Sequence, residues 1–568
     1  MTNKNTNEHN SAPTSTHATP TNARTVEHRL ERRFSRSFRM ELVIKGALVG
    51  IAAGAVVCAY RLTLQQAEKL LQLILSYAAA QPLVALAWFV GLLSIAAAIS
   101  FLMVWEPYTI SSGIPQTQAD IAGHYDLPWH RVLFAKFIEG SLGALAGLSL
   151  GREGPSVQLG GVAGKAVAKL TRAKRGEEHL LVTCGAASGM AAAFHAPFTG
   201  VIFALEEMHK VFSAPLICAL MASAAAADFL VSEVLGVKPV LDVHFASNLP
   251  HIDYGLVLLM GILLGVIAAI HNQGMFFAQD CYRAITRGAP FTRILIPCLT
   301  VGLVGLYLPY GPYLLGGGEK LFELLLDPHT QPLTLLIALL VAKYILTALC
   351  FGSSAPGGTL LPLVIMGALA GAIFGRVVTG ITGESYSYIA NYTALGIAGL
   401  FAGVVRAPIT GVVLVFELTG SFSSLLSAVL ISIVSYIIAD ILNIDAFYEH
   451  LYTKMLGTAN RDDMADHAAL GNSILGEKII RSFVIATGST AAYTQIKNIT
   501  WPDAMRIVAV ERAGNELIAE GQTQLEPQDR IIVLMDEQAE VRIQASLKDL
   551  CLIDKSLTES RDECLASR

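Results

Sequence analysis

Long apolar runs that are broken at short intervals constrain the fold of this chain more than any other feature. Five uncharged runs stand out: Gly46–Tyr60, Leu70–Trp105, Val211–Ala227, Tyr254–Ile270 and Ser424–Ala439. Runs of this length are typical of membrane spans rather than of a soluble core. Because 53% of the 568 residues are hydrophobic and only 15% are charged, we predict a polytopic membrane protein.

The breaks in these runs predict irregular membrane helices. Glycine, proline or a short polar insert interrupts the apolar sequence at four places: Ser111–Pro115, Ala196–Pro197, Pro356–Gly358 and Ala407–Pro408. Backbone groups freed at such breaks must line a cavity or be buried in protein, since lipid cannot satisfy them. Broken helices that meet at mid-membrane form the ion sites of many transporters. We therefore expect an all-α membrane domain with a site built at the breaks.

The stretch Ser149–Pro155 places Arg152 and Glu153 between apolar runs. Ionisable residues at membrane depth are costly and point to function. The two glycines of the stretch permit close backbone approach, and its proline suits the first turn of a helix expected from Val157 onward. A helix start with free N–H groups attracts anions, so we predict an anion site with a competing carboxylate. The alternative is a structural pairing of Glu153 with Lys136 or Arg152.

An internal repeat indicates that the membrane domain has two homologous halves. Residues 196–206 match residues 407–417 with Ala, Pro, Thr, Gly, Val and Glu identical in register. A weaker match pairs Pro155 and Gly160 with Pro362 and Gly367. Repeats of about 200 residues in transporters are often inverted. We expect two such repeats here, and the sequence leaves their orientation open.

The N-terminal segment differs from the rest of the chain. It is rich in Thr, Asn, Ser, Pro and His up to residue 23, and it shows no signal peptide. Six arginines follow before the first span: Arg24, Arg29, Arg32, Arg33, Arg36 and Arg39. By the positive-inside rule they keep the N-terminus in the cytoplasm. We predict a disordered basic cytoplasmic tail over residues 1–39 and a membrane domain over residues 40–455.

The C-terminal sequence predicts a small soluble domain. A polar linker is expected over 456–470, followed by an α+β domain over 471–568. Its expected elements are strands at Arg506–Val510 and Arg530–Leu534, a turn at Gly514–Asn515 and an amphipathic helix at Glu537–Leu550. This domain lies on the cytoplasmic side if the number of membrane crossings is even.

No catalytic or metal-binding pattern accompanies these features. None of the eight cysteines forms a CxxC pair, and neither HExxH nor GxSxG occurs. His195 stands beside Pro197 without a partner in the sequence, and we interpret it as a packed histidine. We expect a protein that is not an enzyme, has no cofactor or metal and does not bind nucleic acid.

Three short motifs resemble, in order and spacing, those of the CLC family of chloride channels and chloride/proton antiporters. They are Ser112–Pro115, Gly151–Pro155 and Gly358–Pro362, and Tyr448 stands where the family has a fourth anion contact, near the end of the last membrane helix. The resemblance covers residues 40–455. It implies a homodimer in the cell (inner) membrane, with one chloride pathway in each subunit.

Carried over by position, the resemblance implies an anion site in which Ser112 and Tyr448 donate hydroxyl groups. Such neutral donors and helix starts bind an anion without trapping it. The implied anion-binding residues are Ser112, Gly113, Ile114, Glu153, Gly154, Thr359, Leu360 and Tyr448. Arg152 and Lys136 would give electrostatic support. Taken alone, Ser112 is equally an ordinary loop hydroxyl and Tyr448 an interfacial anchor.

The same resemblance assigns two glutamates to proton transfer. Glu153 matches the gating glutamate, whose carboxylate blocks the anion path until it is protonated. Glu207 matches the internal glutamate that relays protons to it, where the channel branch usually has an apolar residue. The implied function is exchange of chloride for protons, and the alternative is a passive chloride channel on the same scaffold. A helix-end carboxylate at the interface is the other interpretation of Glu207.

Some positions depart from the family pattern. Ser111 replaces a common glycine, Thr359 and Leu360 replace the commoner Ile and Phe, and Glu139 is an additional carboxylate without an explanation. Leu360 is expected to widen the inner vestibule.

The soluble domain resembles the RCK-C (TrkA-C) subdomain of potassium-transport regulators at Ile499–Pro502 and Gly521–Leu525, with Gln528 in place of the usual glycine. This implies a regulatory module that dimerises or binds a small-molecule ligand. A folding or assembly role is the alternative. A sensor in which the membrane part only anchors this domain does not explain the broken helices.

Overall fold

The computed structural model describes most of the chain. The described residues are 20–210, 212–237, 253–286, 289–325, 331–383, 385–467, 478–486, 489–502, 505–512, 515–527 and 529–536, with single residues at 241, 245, 543, 547, 550 and 551. They belong to two units, Met1–Thr458 and Ala459–Arg568, and each unit is described by itself.

The described part of the first unit is built from helices joined by short loops. Its helices are α1 (Pro20–Ala80), α2 (Pro82–Trp105), α3 (Ile114–Ile121), α4 (Trp129–Ala146), α5 (Glu153–Leu170), α6 (Arg175–Phe194), α7 (Pro197–Phe203), α8 (Ala214–Leu235), α9 (Tyr254–Thr286), α10 (Pro290–Tyr307), α11 (Gly311–Leu314), α12 (Glu319–Glu323), α13 (Leu333–Gly352), α14 (Leu360–Thr382), α15 (Tyr388–Val405), α16 (Pro408–Thr419), α17 (Leu425–Ile441) and α18 (Phe447–His467). A π-helical turn, Ala204–His209, continues α7.

Nine helices in the described part of the chain are long and apolar enough to cross a membrane. They confirm the prediction of a multi-pass membrane protein. Among them, α14 and α15 are mostly buried inside the protein, whereas the others expose one side. Exposed apolar side chains on these helices are suited to contact with lipid.

Three boundaries differ from the sequence predictions. Helix α1 begins at Pro20, so residues 20–39 are helical rather than disordered, and residues 1–19 lie outside the described residues. The expected linker is helical up to His467 as a continuation of α18. Helix α5 begins at Glu153 rather than near Val157. In each case the helix continues into a segment that composition alone marked as irregular. Adding a residue to an existing helix costs less free energy than starting a new helix.

The two halves each contain a tightly packed helix pair. Helices α5 and α6 pack through glycines, and a Cβ added to Gly160 would lie 2.2 Å from the Gly185 carbonyl oxygen. Helices α14 and α15 pack in the same way, since a Cβ on Gly396 would lie 2.2 Å from the Gly367 carbonyl oxygen. Small residues permit such backbone approach between membrane helices. These pairs hold the starts of α5 and α14 in the protein interior.

The repeated segments also contact each other reciprocally. The Glu417 carboxylate accepts hydrogen bonds from the backbone N–H groups of Phe198 (2.9 Å) and Thr199 (2.7 Å), which begin α7. The Glu206 carboxylate accepts them from Ile409 (3.1 Å) and Thr410 (2.8 Å), which begin α16. Each half therefore caps the broken helix of the other.

The second unit contains an antiparallel sheet in the order β1-β4-β2-β3. Its strands are β1 (Lys478–Val484), β2 (Met505–Arg512), β3 (Asn515–Ile518) and β4 (Arg530–Asp536). Both predicted strands are confirmed as parts of β2 and β4. Gly514, Gln528 and most of the predicted helix Glu537–Leu550 lie outside the described residues.

The core of this sheet unit is apolar, with an ion pair at its edge. Ile485, Val510, Ile531 and Val533 are among its fully buried side chains. Beside them, Arg512 donates to both carboxylate oxygens of Asp529, at 2.9 and 2.7 Å. These hydrogen bonds raise the pKa of the Arg512 guanidinium, so the pair stays charged.

Candidate functional site

The first wall of the site is the loop that precedes α3. Ser111 and Gly113 have positive φ angles, 63° and 89°, so the chain turns sharply on both sides of Ser112. A Cβ at Gly113 would lie 2.4 Å from the Gln158 Oε1 atom, so only glycine fits. The Ser112 side chain is fully buried, and its Oγ accepts the N–H of Ile114 at 3.3 Å. The predicted residues Ser112, Gly113 and Ile114 thus form one continuous helix start.

The starts of α5 and α14 meet the same loop. Gly151 and Gly358 exchange two backbone hydrogen bonds, at 2.6 and 2.8 Å, as an isolated β-bridge. A Cβ added to Gly154 would lie 2.7 Å from the carbonyl oxygen of Ser112 and 3.1 Å from the Cα of Gly358. All three predicted motifs therefore converge at Gly154, where no side chain can be accommodated.

The Glu153 carboxyl group lies at this junction. Its side chain is 1% exposed, and its Oε2 accepts the backbone N–H of Leu361, in the first turn of α14, at 3.2 Å. Its Oε1 has no hydrogen-bond partner among the described residues. Free N–H groups and the positive dipole end of a helix attract an anion. Here the carboxylate of the chain itself occupies that position.

Thr359, Leu360 and Tyr448 close the other side. Thr359 precedes α14, Leu360 begins it, and both are buried. Tyr448 is fully buried beside the Thr359 side chain and interacts electrostatically with Glu153 and Glu207. Its hydroxyl has no hydrogen bond of good geometry to any described residue. A buried phenol held only by a poorly aligned contact with Thr359 is a donor available to a bound anion.

The position of Tyr448 in its helix corrects one expectation. Tyr448 lies in the first turn of α18 rather than near the end of the last membrane helix. The chain breaks between α17 and α18, with Asn443 in a left-handed conformation (φ 53°). This break turns the start of α18 toward the site.

Lys136 supports the site through the backbone. It is fully buried, and its Nζ donates to the carbonyl oxygens of Thr109 (2.7 Å) and Ser111 (2.6 Å). Glu139, which the sequence left unexplained, accepts the Thr109 hydroxyl at 3.0 Å. Lys136 and Glu139 together hold the segment that precedes Ser112. Lys136 therefore positions the loop without contacting the anion site directly.

Arg152 has a partner that the sequence did not predict. Its Nη2 lies 2.8 Å from the Glu319 Oε1 atom. Among the described residues no ion pair joins Glu153 to Lys136 or to Arg152, although Arg152 interacts electrostatically with Glu153. Arg152 and Glu319 line a pocket together with Glu68 and Tyr60.

Glu207 lies in the π-helical turn after α7. Its side chain is 4% exposed, and its Oε1 has no hydrogen-bond partner among the described residues. The Gln118 side chain donates to its backbone carbonyl oxygen at 3.2 Å. Glu207 is therefore buried rather than at the interface, and π-helical turns are often found at functional sites. His195, in contrast, pairs with Asp228 at 2.7 Å and takes no part in the site.

Two faces of the membrane unit are defined by α1. Lys45, near the start of the apolar span Met40–Ala80 within α1, pairs with Glu177 at the start of α6, and Glu68 lies about 35 Å further along the helix axis at the usual rise per residue. His209, beside Glu207, contacts Thr183 of α6 at 3.3 Å, one turn beyond His179. We call the first end the Lys45 face and the second the Glu68 face. Glu207 lies toward the first, and the Arg152 pocket opens to the second.

The sequence missed Glu319, Lys343 and the role of Thr109. Lys343 is fully buried and donates to the carbonyl oxygens of Leu314 (3.0 Å) and Gly316 (2.7 Å). It stands at the same spacing from Lys136 as Pro362 does from Pro155, so the weak repeat already contained its signal. No signal in the sequence indicated that Glu319 approaches Arg152.

The chain is similar to known proteins over most of its length. Residues 93–440 match the family described as voltage gated chloride channel, and residues 480–547 match the TrkA-C domain. An H(+)/Cl(-) exchange transporter ClcA from Vibrio cholerae is 35% identical over 356 residues, which are 62% of this chain and 76% of that protein. The ClcA of Citrobacter koseri is 30% identical over 377 residues, 66% of this chain and 79% of that protein.

Solved structures show the same fold. A slow cyanobacterial Cl-/H+ antiporter superimposes with a TM-score of 0.69 at 25% identity, over 74% of this chain and 99% of that chain. A CLC-type fluoride/proton antiporter gives a TM-score of 0.57 at 23% identity, over 70% of this chain and 95% of that chain. The chain therefore belongs to the voltage-gated chloride channel (CLC) family, and it carries a TrkA-C domain at its C-terminal end.

Proposed function

We propose that this protein exchanges chloride for protons across the membrane. The observation that carries the proposal is the Glu153 carboxylate on the N–H of Leu361 at the start of α14. A carboxylate and a chloride ion compete for the same donors there. Relatives named as H(+)/Cl(-) exchange transporters support the same conclusion.

Competition at one position couples the two ions. While Glu153 is ionised, it occupies the helix start and blocks the anion. When it takes up a proton, it loses its attraction to the positive helix end, and the donors become free for chloride. Ser112, Gly113, Ile114, Gly154, Thr359, Leu360 and Tyr448 would surround that chloride with hydroxyl groups, backbone and apolar walls. Neutral donors of this kind allow the anion to leave again.

Glu207 would deliver the proton. It is a second buried carboxyl group, it lies toward the Lys45 face, and Tyr448 interacts with both glutamates. A buried carboxyl group without a hydrogen-bond partner at Oε1 is poised to exchange a proton. Lys136 holds the Ser112 loop, and Arg152 adds positive potential on the Glu68 face.

The setting follows from the same family. We propose a homodimer in the cell (inner) membrane with its N- and C-termini in the cytoplasm, which makes the Lys45 face cytoplasmic. The TrkA-C domain would be a regulatory module, and a small cytoplasmic molecule is its proposed ligand. No cofactor, metal or nucleic acid enters the proposal.

The test is proton flux in liposomes that contain the full-length purified protein. A chloride gradient should drive protons uphill through the wild type. Glu207→Ala should keep chloride flux and lose proton flux, and Glu153→Ala should also lose proton flux. Glu233→Gln, an exposed carboxylate on α8, is the matched control and should behave as wild type. Chloride flux without proton movement in the wild type would instead identify a passive channel.

A further inference from the structure

The pocket on the Glu68 face contains an acidic group that the exchange cycle does not use. Glu319 begins the short helix α12, and its carboxylate contacts the Arg152 guanidinium at 2.8 Å. The Arg152 side chain is 8% exposed, and that of Glu319 is 35% exposed. Glu319 is therefore the more exposed side chain of the pair, although its Oε1 atom beside the Arg152 guanidinium is itself buried.

This pocket lies between residues of the Glu68 face and residues next to the anion site. Its walls include Glu68 and Tyr60 of α1, Arg152, Glu319 and Leu361. Leu361 is the residue whose N–H binds Glu153, and Arg152 immediately precedes Glu153. The Arg152–Glu319 pair therefore lies between the Glu68 face and Glu153.

The repeat explains how Glu319 is placed there. The loop at Gly316–Gly318 has φ angles of 60° and 101° at its ends, as the Ser111–Gly113 loop has 63° and 89°. A short helix follows each loop, and a buried lysine holds each. Glu319 stands where the first half has Ile114, which is fully buried. The second half therefore presents a carboxylate at a position that is apolar in the first.

We propose that Glu319 competes with incoming anions for Arg152 and so lowers the affinity for chloride at the Glu68 face. This inference rests on the proposed chloride/proton exchange. A guanidinium attracts chloride, but a carboxylate at 2.8 Å already neutralises it. Chloride must displace the carboxylate from Arg152, and the partly exposed Glu319 side chain is the member of the pair that solvent can reach when it moves away.

Other charged groups near the Arg152–Glu319 pair also influence how chloride competes with Glu319 for Arg152. Arg61 and Glu68 of α1 interact electrostatically with Arg152 and Glu319, Lys320 interacts with Glu68, and Glu153 lies beside Arg152. Arg61 is held by the Ala192 carbonyl oxygen at 2.7 Å, so it does not replace Glu319 as a partner. Neutralising Glu319 therefore removes the carboxylate that contacts the Arg152 guanidinium, while Glu68 and Glu153 continue to interact with it electrostatically.

The experiment measures chloride binding to the full-length protein by isothermal titration calorimetry, next to proton-coupled chloride flux in liposomes. Glu319→Gln and Glu319→Ala should bind chloride about two- to fivefold more tightly than wild type, as expected for a partly exposed ion pair. Glu319→Asp keeps the charge and should stay close to wild type. Glu323→Gln, on the same short helix and exposed, is the control and should change nothing.

A second readout separates this role from a structural one. The gain in affinity should shrink when ionic strength is raised with gluconate, because exposed charges are screened. The ratio of protons to chloride should stay constant, since Glu153 and Glu207 are intact. Unchanged or weaker chloride binding in both neutral variants would overturn the inference, and so would neutral variants that fail to fold beside a folded Glu319→Asp. A wild type that does not exchange protons for chloride would overturn the proposed function instead.

Discussion

The two halves of the membrane unit share a backbone and differ in chemistry. Each half has a loop with two left-handed residues, a short helix after it and a buried lysine that donates to two loop carbonyls. In the first half the middle of the loop is Ser112, and in the second it is Gly317. The first half thus carries a hydroxyl group where the second has only backbone.

The helix starts show the same division. Helix α5 begins at Glu153 and helix α14 at Leu360. The first supplies a carboxylate, and the second supplies the backbone N–H that binds it. The repeated backbone thus provides a helix start in each half. Individual side chains then decide whether that helix start donates hydrogen bonds to an anion or carries a carboxylate that competes with the anion. The scaffold needs both halves, but the ion chemistry resides mainly in the first.

The buried lysines should show the largest effect and test whether the scaffold is symmetric. Lys136→Met and Lys343→Met each remove two hydrogen bonds from a charged donor and leave two carbonyl oxygens in the interior. We expect a loss of about 2–4 kcal/mol in the free energy of unfolding for each. Denaturant unfolding of the purified variants in detergent measures it. A large loss for one lysine alone would break the comparison.

The loop glycines come next, and they should differ. Gly113→Ala places a Cβ 2.4 Å from the Gln158 Oε1 atom at a positive φ, whereas the nearest atom to a Cβ at Gly318 is 3.2 Å away. Left-handed strain costs about 1–2 kcal/mol in either case, and the clash adds to it at Gly113. The same unfolding measurement should therefore rank Gly113→Ala as the more harmful. An equal loss would show that Gln158 moves freely.

Substituting the middle residue of each loop, Ser112 in the first half and Gly317 in the second, tests whether only the first loop binds chloride through a side chain. Ser112→Gly removes a hydroxyl donor and should weaken chloride binding about tenfold, because hydrogen bonds to charged groups are strong. A Cβ at Gly317 would lie 2.4 Å from Cδ2 and 3.2 Å from Cγ of Leu361, so Gly317→Ser requires that side chain to shift, but it removes no donor and should leave chloride affinity close to wild type. Calorimetric titration with chloride measures both. Equal effects would place the anion site between the two loops.

The reciprocal caps should give the smallest and most equal effects. Glu206→Gln and Glu417→Gln each replace a charged cap that binds two backbone N–H groups and a threonine hydroxyl of the other half. We expect about 1 kcal/mol of lost stability for each. Unfolding midpoints of the two single variants and the double variant test this, and a strongly unequal pair would show that the two caps are not equivalent.

The sequence predicted most of the fold and part of the candidate site. Apolar runs, breaks and the 196–206 repeat predicted the helices and the two halves. The motifs around Ser112, Glu153 and Thr359 predicted residues that the structure does bring together. Glu319 was missed because its contact with Arg152 depends on the path of a glycine loop, which no local pattern encodes.

The sequence by itself determined that this is a polytopic membrane protein with broken, repeated helices and a separate β domain, because hydrophobicity and repeat matches are local properties. Only the tertiary structure decided which polar groups meet. Glu153 takes the N–H of Leu361 rather than pairing with Lys136, since helix packing brings residues more than 200 positions apart within hydrogen-bond distance. Such distances are set by how glycine-lined helices approach each other, and a sequence states which residues are small but not where they touch.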